Sequence, residues 1–317
     1  MKIKNVAFFL ILLCLCLIPK THAESNNKTI NLIWSSNPEG SWEEDWIREV
    51  LSKSKYNFNE IIDGNHKIIL NNSIIVCGFT ESAKCMRYFS QYHRLKYKFG
   101  VIHLSDESYD HPTNFYGYPQ FIIRNYWHKK FASQKNISYF PLGYKRKFWS
   151  NISHKEIPHS ANRDYVWSFA GQVNKSTRLS MITSMKKIPH YFIHETVNFG
   201  SPDALQVGAY RDLLLKSIFV PCPRGWINLD SFRLSEALEC GCIPIVEKTP
   251  FDYFAKFFGN YPFLSVESWD EAPALINDLL SDPKRLEELR SRCYHWWNDY
   301  KNQLQNQVAT ILENTFD

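Results

Sequence analysis

Two loops of the sequence carry residue types suited to binding a phosphate. In the first loop, Gly171 and Gln172 end a predicted strand, and Arg178 lies at the start of the helix that follows. Gly171 lets a ligand approach the backbone closely, and a helix start offers free N–H groups and a positive dipole end. The forked guanidinium of Arg178 adds a matching charge. The pattern predicts phosphate binding, with an ordinary strand–helix turn as the structural alternative.

The second loop has the same layout. Arg224 and Gly225 follow a strand, Ser231 and Phe232 open the next helix, and Arg233 lies in its first turn. The hydroxyl of Ser231 and the neighbouring N–H groups can receive a phosphate oxygen. A cation in the first turn opposes the helix dipole, so a purely structural role would favour an acid there. Arg233 therefore indicates a bound anion.

Three carboxylates complete the candidate chemistry. Glu236 lies one turn after Arg233 and could hydrogen-bond a ribose diol. A surface ion pair between Arg233 and Glu236 is the alternative. Asp106 and Glu107 follow a strand of the first half, and either could serve as a general base toward an acceptor hydroxyl. For Asp106 the alternative is a capping or turn role.

The composition limits the class of protein. The chain has 317 residues, 44% of them hydrophobic and 15% aromatic, with a formal charge of +5. The hydrophobic share excludes wholesale disorder, and the chain has no long apolar run beyond its N-terminus, which excludes a polytopic membrane protein. The dilute basic surplus excludes nucleic acid as the expected partner. At about 150 residues per domain, the length suggests two domains.

The N-terminus has the layout of a secretory signal peptide. Lys2 and Lys4 precede an apolar run over Val6–Ile18, and Ala23 could precede a cleavage site. Residues 1–23 are therefore predicted to be a signal peptide, with an uncleaved signal-anchor that tethers the chain to a membrane as the alternative. Both alternatives place the rest of the chain in the lumen of the secretory pathway, in the Golgi or the ER. The chain would there be membrane-anchored or secreted. Loss of three lysines with this segment lowers the charge from +5 to +2.

Six cysteines remain after this segment, and an oxidising compartment would allow up to three disulfides among them: Cys77, Cys85, Cys222, Cys240, Cys242 and Cys293. Cys77 and Cys85 are the most plausible pair, whereas the later cysteines could equally be buried thiols. The spacings do not match a zinc site, so we expect no metal. Five N-x-S/T sequons fit a lumenal protein: Asn27, Asn71, Asn136, Asn151 and Asn174.

Strands and helices alternate along both halves of the chain, which predicts an α/β protein with parallel sheets. A polar stretch over 145–163 separates the halves, giving an N-terminal lobe (24–150) and a C-terminal lobe (151–317) with a cleft between them. Ligands in such sheets bind at the carboxyl ends of the strands. A long final helix is predicted from Pro283.

The second loop and the segment after it resemble a known family. Pro223 to Trp226, Ser231 to Arg233 and Glu236 to Val246 resemble the C-terminal signature of the exostosin family, glycosyltransferase family 47. The similarity extends over about residues 99–315. Other segments resemble the ribitol-phosphate xylosyltransferase branch: HLSDE at 103–107, PLG at 141–143, SFAGQ at 168–172 and AYRDLL at 209–214. The arginine loops are closer to general exostosins, so the donor and acceptor of that branch are not carried over.

The resemblance implies a GT-B fold of two Rossmann-like lobes and an inverting transfer that requires no metal or other cofactor. It places Asp106 and Glu107 on the acceptor lobe and implies that Arg178, Ser231 and Arg233 hold the diphosphate of a UDP-sugar. Glu236 would then hold the ribose, and the remaining donor-loop residues are Gly171, Gln172, Arg224, Gly225 and Phe232.

The expected function is sugar transfer from a UDP-sugar to a hydroxyl of a glycan or glycoprotein acceptor. Two alternatives belong to other classes. One is a non-catalytic exostosin-like partner that stabilises another glycosyltransferase; both a homo-oligomer and a hetero-oligomer are compatible with the sequence. The other is a secreted carbohydrate-binding protein, which would bind sugar without nucleotide.

Overall fold

The computed structural model describes residues 28–78, 82–150, 156–198, 200–249, 251 and 253–317. The predicted signal peptide and the sequons at Asn27 and Asn151 lie outside these residues.

The first half of the chain forms a six-stranded parallel sheet with the strand order β2-β1-β3-β4-β5-β6. Its strands are β1 (Thr29–Trp34), β2 (Asn57–Ile62), β3 (Ser73–Cys77), β4 (Phe99–His103), β5 (Phe121–Arg124) and β6 (Ile137–Tyr139). All residues of β3, β4 and β5 are buried, because these apolar runs are covered on both faces. β2 escaped prediction because it is a polar, largely exposed edge strand.

Two helices cover this sheet, α1 (Glu44–Leu51) and α2 (Ser82–Arg94). The helix α1 begins after Glu43, and the Ser41 hydroxyl accepts a hydrogen bond from the Glu43 N–H at 3.3 Å. Glu43 is consequently carried to the edge of the sheet, beside the ends of β1 and β5.

The second half forms a five-stranded parallel sheet with the order β11-β10-β9-β7-β8. Its strands are β7 (Tyr165–Gly171), β8 (Tyr191–Glu195), β9 (Ser217–Cys222), β10 (Ile243–Glu247) and β11 (Leu264–Val266). The helices that cover it are α3 (Arg178–Met185), α4 (Val207–Leu215), α5 (Phe232–Glu239), α6 (Tyr253–Phe258) and α7 (Ala272–Leu280). The alternation predicted from the sequence is present, with the boundaries moved by a few residues.

A 34-residue helix, α8 (Pro283–Phe316), ends the chain and returns to the first sheet. The Lys301 ammonium lies 3.2 Å from a Glu49 carboxylate oxygen of α1, and the Gln305 amide donates to the Glu49 carbonyl at 3.1 Å. The last residue, Asp317, accepts a hydrogen bond from the Tyr56 hydroxyl at 2.6 Å. This helix therefore ties the two halves together opposite the cleft. Within the described residues, no helix combines the length and the apolar character needed to cross a membrane.

All six cysteines of the described chain are buried free thiols. The expected pairing of Cys77 with Cys85 is therefore not found. Burial raises the pKa of the Cys77 thiol well above its ordinary value, as expected for a cysteine that packs as a small apolar residue.

Candidate active site

A cleft of about 760 Å³ lies between the carboxyl ends of the strands of the two sheets. Nine residues predicted to form the site line it: Glu107, Gly171, Gln172, Arg178, Gly225, Ser231, Phe232, Arg233 and Glu236. Asp106 and Arg224 are not in its lining. Both predicted phosphate-binding loops therefore open into one cavity, although Gly171 and Gly225 are 54 residues apart in the sequence.

Arg233 lies in the first turn of α5 and reaches across to the end of β7. Its Nη2 donates to the Ala170 carbonyl at 2.9 Å, and its guanidinium lies 4.5 Å from the centre of the Phe169 ring. A Cβ on Gly171 would lie 2.9 Å from this Nη2, and Gly171 has a φ of +142°. The positive φ favours glycine at this position, and the absence of a Cβ leaves room for the Arg233 guanidinium. The Arg233 Nε is buried and has no hydrogen-bond partner among the described residues.

Arg178 opens α3 on the opposite side of the same loop. Its Nη1 donates to the Gln172 carbonyl at 2.9 Å, and its buried Nε is also without a partner in the part of the chain that the structure describes. Burial, followed by repulsion from Arg233, lowers the pKa of Arg178 to about 10. Burial lowers the pKa of Lys175 as well, and both arginines add to that effect. These three cations are held together at an energetic cost that a bound anion would offset.

Ser231 precedes α5 as its N-cap residue, with a φ of −152°. Its side chain makes no capping hydrogen bond, and its buried hydroxyl has no partner among the described residues. An N-cap serine ordinarily satisfies a backbone N–H of the first turn. Here the hydroxyl and the helix start are both left available beside Arg233. Together with Arg178, they form a site with the donors and the charge to bind a diphosphate.

Glu236 lies one turn into α5 and is 2% exposed. Its Oε1 accepts a hydrogen bond from the Lys145 N–H at 3.2 Å, and burial raises the pKa of its carboxyl. The next residue back, Ser235, donates to the Leu142 carbonyl. Glu236 thus connects the two lobes while it lines the cleft. Within the described residues it does not form the surface ion pair with Arg233 that was the alternative.

Glu107 reaches from the first lobe to a loop of the second. Its Oε1 accepts hydrogen bonds from the backbone N–H groups of Trp226 at 2.7 Å and Ile227 at 3.0 Å, with Asn228 at 3.4 Å. A Cβ on Gly225 would lie 2.6 Å from the same oxygen, so this approach requires glycine. Glu107 is therefore a tie between the lobes at the mouth of the cleft, and its Oε1 is already fully engaged.

Asp106 lies behind the cleft wall, which departs from the expectation that it could face the acceptor. It is 1% exposed, its Oδ2 accepts from Arg124 Nη2 at 2.9 Å, and its Oδ1 accepts from the His111 N–H at 3.0 Å. Both carboxylate oxygens of Asp106 are therefore already occupied by protein donors. Asp106 therefore fits the turn role, which was the alternative to a role as general base.

The side chains of His103, Asp106 and His111 have potential metal-ligand atoms within 4.8 Å of one another, the one such group within the described residues. His103 Nε2 is hydrogen-bonded to His111 Nδ1 at 3.1 Å, and its Nδ1 to the Tyr116 hydroxyl at 2.6 Å. The Arg124 charge on Asp106 also opposes a cation. These atoms form a hydrogen-bonded network rather than an open ligand set.

Arg224 lies outside the cavity. It is exposed, and its Nε donates to the Ser176 hydroxyl at 2.6 Å. Phe232, in contrast, lies at the boundary between the lobes, where its ring contacts Trp42 edge-on at 6.1 Å. Arg224 therefore does not line the cleft with Arg178 and Arg233, contrary to the expectation that it binds the donor.

Two carboxyls of the cleft were not predicted. Glu43 is 3% exposed and Asp230 is 2% exposed, and burial raises the pKa of each carboxyl to about 7. Glu43 accepts a hydrogen bond from the Asn125 amide at 3.2 Å, and Asp230 accepts one from the Tyr139 hydroxyl at 2.7 Å. The available sequence signal for Glu43 was the acidic run 43–45 at a strand–helix turn. Asp230 directly precedes the Ser231 N-cap.

Sequence comparisons relate the chain to one family. A family model described as the RXYLT1 C-terminal domain matches residues 145–317. Human ribitol-5-phosphate xylosyltransferase 1 is 23% identical over 319 residues, which cover 85% of this chain and 69% of that protein. The mouse protein of the same name is 30% identical over 123 residues, covering 34% of this chain and 27% of that protein. Bovine exostosin-1 is 30% identical over 115 residues, covering 33% of this chain and 14% of that protein. The chain thus spans well under two thirds of the mouse and bovine relatives.

Solved structures share the architecture at low identity. An α1,3-fucosyltransferase matches with a TM-score of 0.55 and 14% identity, covering 92% of both chains. Anabaena Alr3699/HepE, solved with UDP and glucose, matches with a TM-score of 0.55 and 9% identity, covering 91% of this chain and all of that one (100%). These neighbours are GT-B proteins. The expected fold of two Rossmann-like lobes with a long C-terminal helix is confirmed.

Proposed function

Because the chain belongs to the family defined by the RXYLT1 C-terminal domain, within the exostosin-like glycosyltransferases, we propose that it transfers a sugar from a UDP-sugar to an acceptor hydroxyl. The observation that carries the proposal is the pair Arg178 and Arg233. Both guanidiniums are partly paired to backbone carbonyls, both have a buried Nε without a partner among the described residues, and both line the same cleft. Partly buried cations that form no ion pair within the described residues favour an anionic ligand.

A nucleoside diphosphate fits this arrangement. Its two phosphates would lie between the starts of α3 and α5, against Arg178, Arg233 and the Ser231 hydroxyl. Glu236, in the wall one turn further along α5, is placed to accept hydrogen bonds from a ribose. That a GT-B neighbour was solved with UDP and glucose supports a uridine nucleotide as the donor.

The two lobes have separate tasks in this proposal. The second lobe (151–317) binds the donor, and the first (24–150) presents the acceptor hydroxyl. Transfer proceeds by a single displacement that inverts the anomeric centre, and the buried arginines stabilise the charge of the departing UDP. Because these cations already supply the positive charge, transfer should need no metal and should survive EDTA.

The curated relatives suggest which substrates to try first. UDP-xylose and ribitol-5-phosphate are the candidates that the relatives' name indicates. We propose the lumen of the secretory pathway as the setting, with glycans or glycoproteins as acceptors and with residues 1–23 as a cleaved signal or a membrane tether.

The test uses the purified full chain. UDP should raise its melting temperature in a concentration-dependent way, with ADP as the control for base selectivity. Hydrolysis should then be measured with UDP-xylose, UDP-glucose, UDP-galactose and UDP-N-acetylglucosamine, and transfer with ribitol-5-phosphate. UDP binding without any turnover would indicate a non-catalytic partner. Sugar binding without UDP binding would indicate a carbohydrate-binding protein. Either result would overturn the proposal.

A further inference from the structure

We propose that Glu43 is the general base that takes the proton from the acceptor hydroxyl, an inference that rests on the proposed function and extends it. The structure offers three carboxylates of the first lobe near the cleft: Glu43, Asp106 and Glu107. They differ in what already occupies their oxygens, and that difference decides among them.

Asp106 and Glu107 are both engaged. Asp106 is in a buried ion pair with Arg124, and its other oxygen accepts a backbone N–H. Glu107 Oε1 accepts the backbone N–H groups that hold the 225–228 loop. Moving Asp106 onto a substrate proton would break its buried ion pair with Arg124. Glu107 Oε2 has no hydrogen-bond partner among the described residues, but moving this carboxylate would break the three Oε1 contacts that hold the 225–228 loop. Both are therefore positioned to build the cleft rather than to react in it.

Glu43 has the contacts expected of a base that is oriented but not neutralised. It lines the cleft, and the one side-chain donor described for its carboxylate is the Asn125 amide, 3.2 Å from Oε1. Asn125 is itself fixed, because its Oδ1 accepts the Ser105 N–H at 3.2 Å. The amide orients the carboxyl without adding a charge. No cation pairs with Glu43 among the described residues, so its Oε2 can accept a proton.

The surroundings of Glu43 bring the pKa of its carboxyl close to neutral pH. Burial raises the pKa of Glu43 to about 7, and the Asn125 hydrogen bond opposes that shift only in part. A general base works best when its pKa lies near the working pH. Carboxyls from two other segments, Glu107 and Asp230, also lie near this part of the cleft, because both act electrostatically on Tyr126 as Glu43 does. His66 and Lys145 line the same cavity, while Glu44, next to Glu43 on α1, is paired with Arg146.

The backbone beside Glu43 is held in an uncommon conformation. Tyr126 follows Asn125 at the end of β5 and lines the cleft with a φ of +58°, in the left-handed region that non-glycine residues seldom adopt. Trp42, directly before Glu43, is 42% exposed and contacts Phe232 of the donor lobe. An acceptor sugar ring could lie on this indole, with its hydroxyl beside Glu43 and the donor opposite.

The proposed step balances in one displacement. The acceptor oxygen forms a bond to the anomeric carbon as the bond from that carbon to the UDP oxygen breaks. The acceptor proton passes to Glu43 Oε2, and the bonding pair leaves with UDP, whose charge Arg178 and Arg233 receive. Water can take the acceptor's place, so hydrolysis of a UDP-sugar reports the same proton transfer.

The test compares Glu43→Gln with Glu44→Gln in the full chain. The probe is the UDP-sugar that the parent hydrolyses fastest among UDP-xylose, UDP-glucose, UDP-galactose and UDP-N-acetylglucosamine. Glu43→Gln should lower kcat by about 100-fold or more and leave the UDP-induced melting shift unchanged. Glu44→Gln, a buried neighbour that faces arginine and lies outside the cleft lining, should keep the parental kcat within about 3-fold.

A pH profile separates Glu43 from the other titrating carboxyl. In the parent, kcat should rise through about pH 7, and this rise should be absent from Glu43→Gln but present in Asp230→Asn, whatever its absolute rate. If Glu43→Gln hydrolyses the probe at the parental rate with the parental profile, the assignment of Glu43 is wrong and the proposed function stands. If the parent fails to bind UDP or to hydrolyse any UDP-sugar, the proposed function fails and this inference fails with it.

Discussion

Arg178 and Arg233 lie in the first turns of two different helices, and both donate to backbone carbonyls at the end of β7 or just after it, Arg178 to Gln172 and Arg233 to Ala170. This segment thus holds two cations close enough that repulsion from Arg233 contributes to lowering the pKa of Arg178. Such a pair is unfavourable until an anion neutralises it. This relationship leads to two predictions about the donor site.

Arg233→Ala should remove most of the affinity for UDP. A charge-assisted hydrogen bond contributes roughly 1.5–3 kcal/mol, which corresponds to a loss of about 10- to 100-fold in Kd, measured by calorimetric titration. Arg211→Ala is the matched control, because the Arg211 guanidinium is already paired with Asp212 on the same lobe. Parental UDP affinity in Arg233→Ala would mean that the diphosphate binds elsewhere.

Arg178→Met should stabilise the free protein while weakening UDP binding. Methionine fills similar space and removes one of two repelling buried charges, so the free energy of unfolding without ligand should rise by roughly 1 kcal/mol. The UDP-induced shift in Tm should shrink in the same variant. Thermal melts with and without UDP measure both effects, and a fall in Tm without UDP would contradict the account of unpaired charge.

The two loops that line the cleft could be located from the sequence because their signal is local. A strand end, a glycine and a cation in the first turn of a helix lie within a few residues of one another, and Gly171, Arg178, Ser231 and Arg233 all line the cleft. The buried strands of the first sheet also have a local signal, because each is a continuous apolar run. The exposed edge strand β2 gave no such run and was missed.

The carboxylates could not be sorted in this way, because their roles depend on partners distant in sequence. Asp106 meets Arg124 18 residues later, and Glu107 meets the Trp226 N–H 119 residues later. Glu43 depends on Asn125, which is 82 residues away, and on burial by the closed cleft. Burial and long-range pairing decide which carboxylate can accept a proton, and neither can be deduced from one strand–helix turn.

Glu107→Ala should leave UDP binding within a few-fold of the parent but reduce transfer. Its carboxylate holds the N–H groups of Trp226 and Ile227, so its loss should release the 225–228 loop without touching Arg178 or Arg233. Hydrogen exchange at Trp226 and Ile227 should therefore accelerate in the variant. Unchanged exchange at these two amides would show that the carboxylate does not hold the loop.

Asp230→Asn should stabilise the protein at pH 8 and reduce its dependence on pH. The folded protein keeps the Asp230 proton up to about pH 7, whereas the unfolded chain releases it near its ordinary value of 3.8. The stability that this neutral acid contributes is thus present at low pH and is lost as pH rises through about 7, on the order of 2–4 kcal/mol. Asparagine can still accept hydrogen bonds from the Tyr139 hydroxyl and the Leu142 N–H through its amide oxygen. Denaturant melts at pH 5 and pH 8 measure the difference. Asp164→Asn is the control, because Asp164 is exposed and forms an ion pair with Lys216. A pH slope equal to that of the parent would show that Asp230 is already ionised in the folded protein.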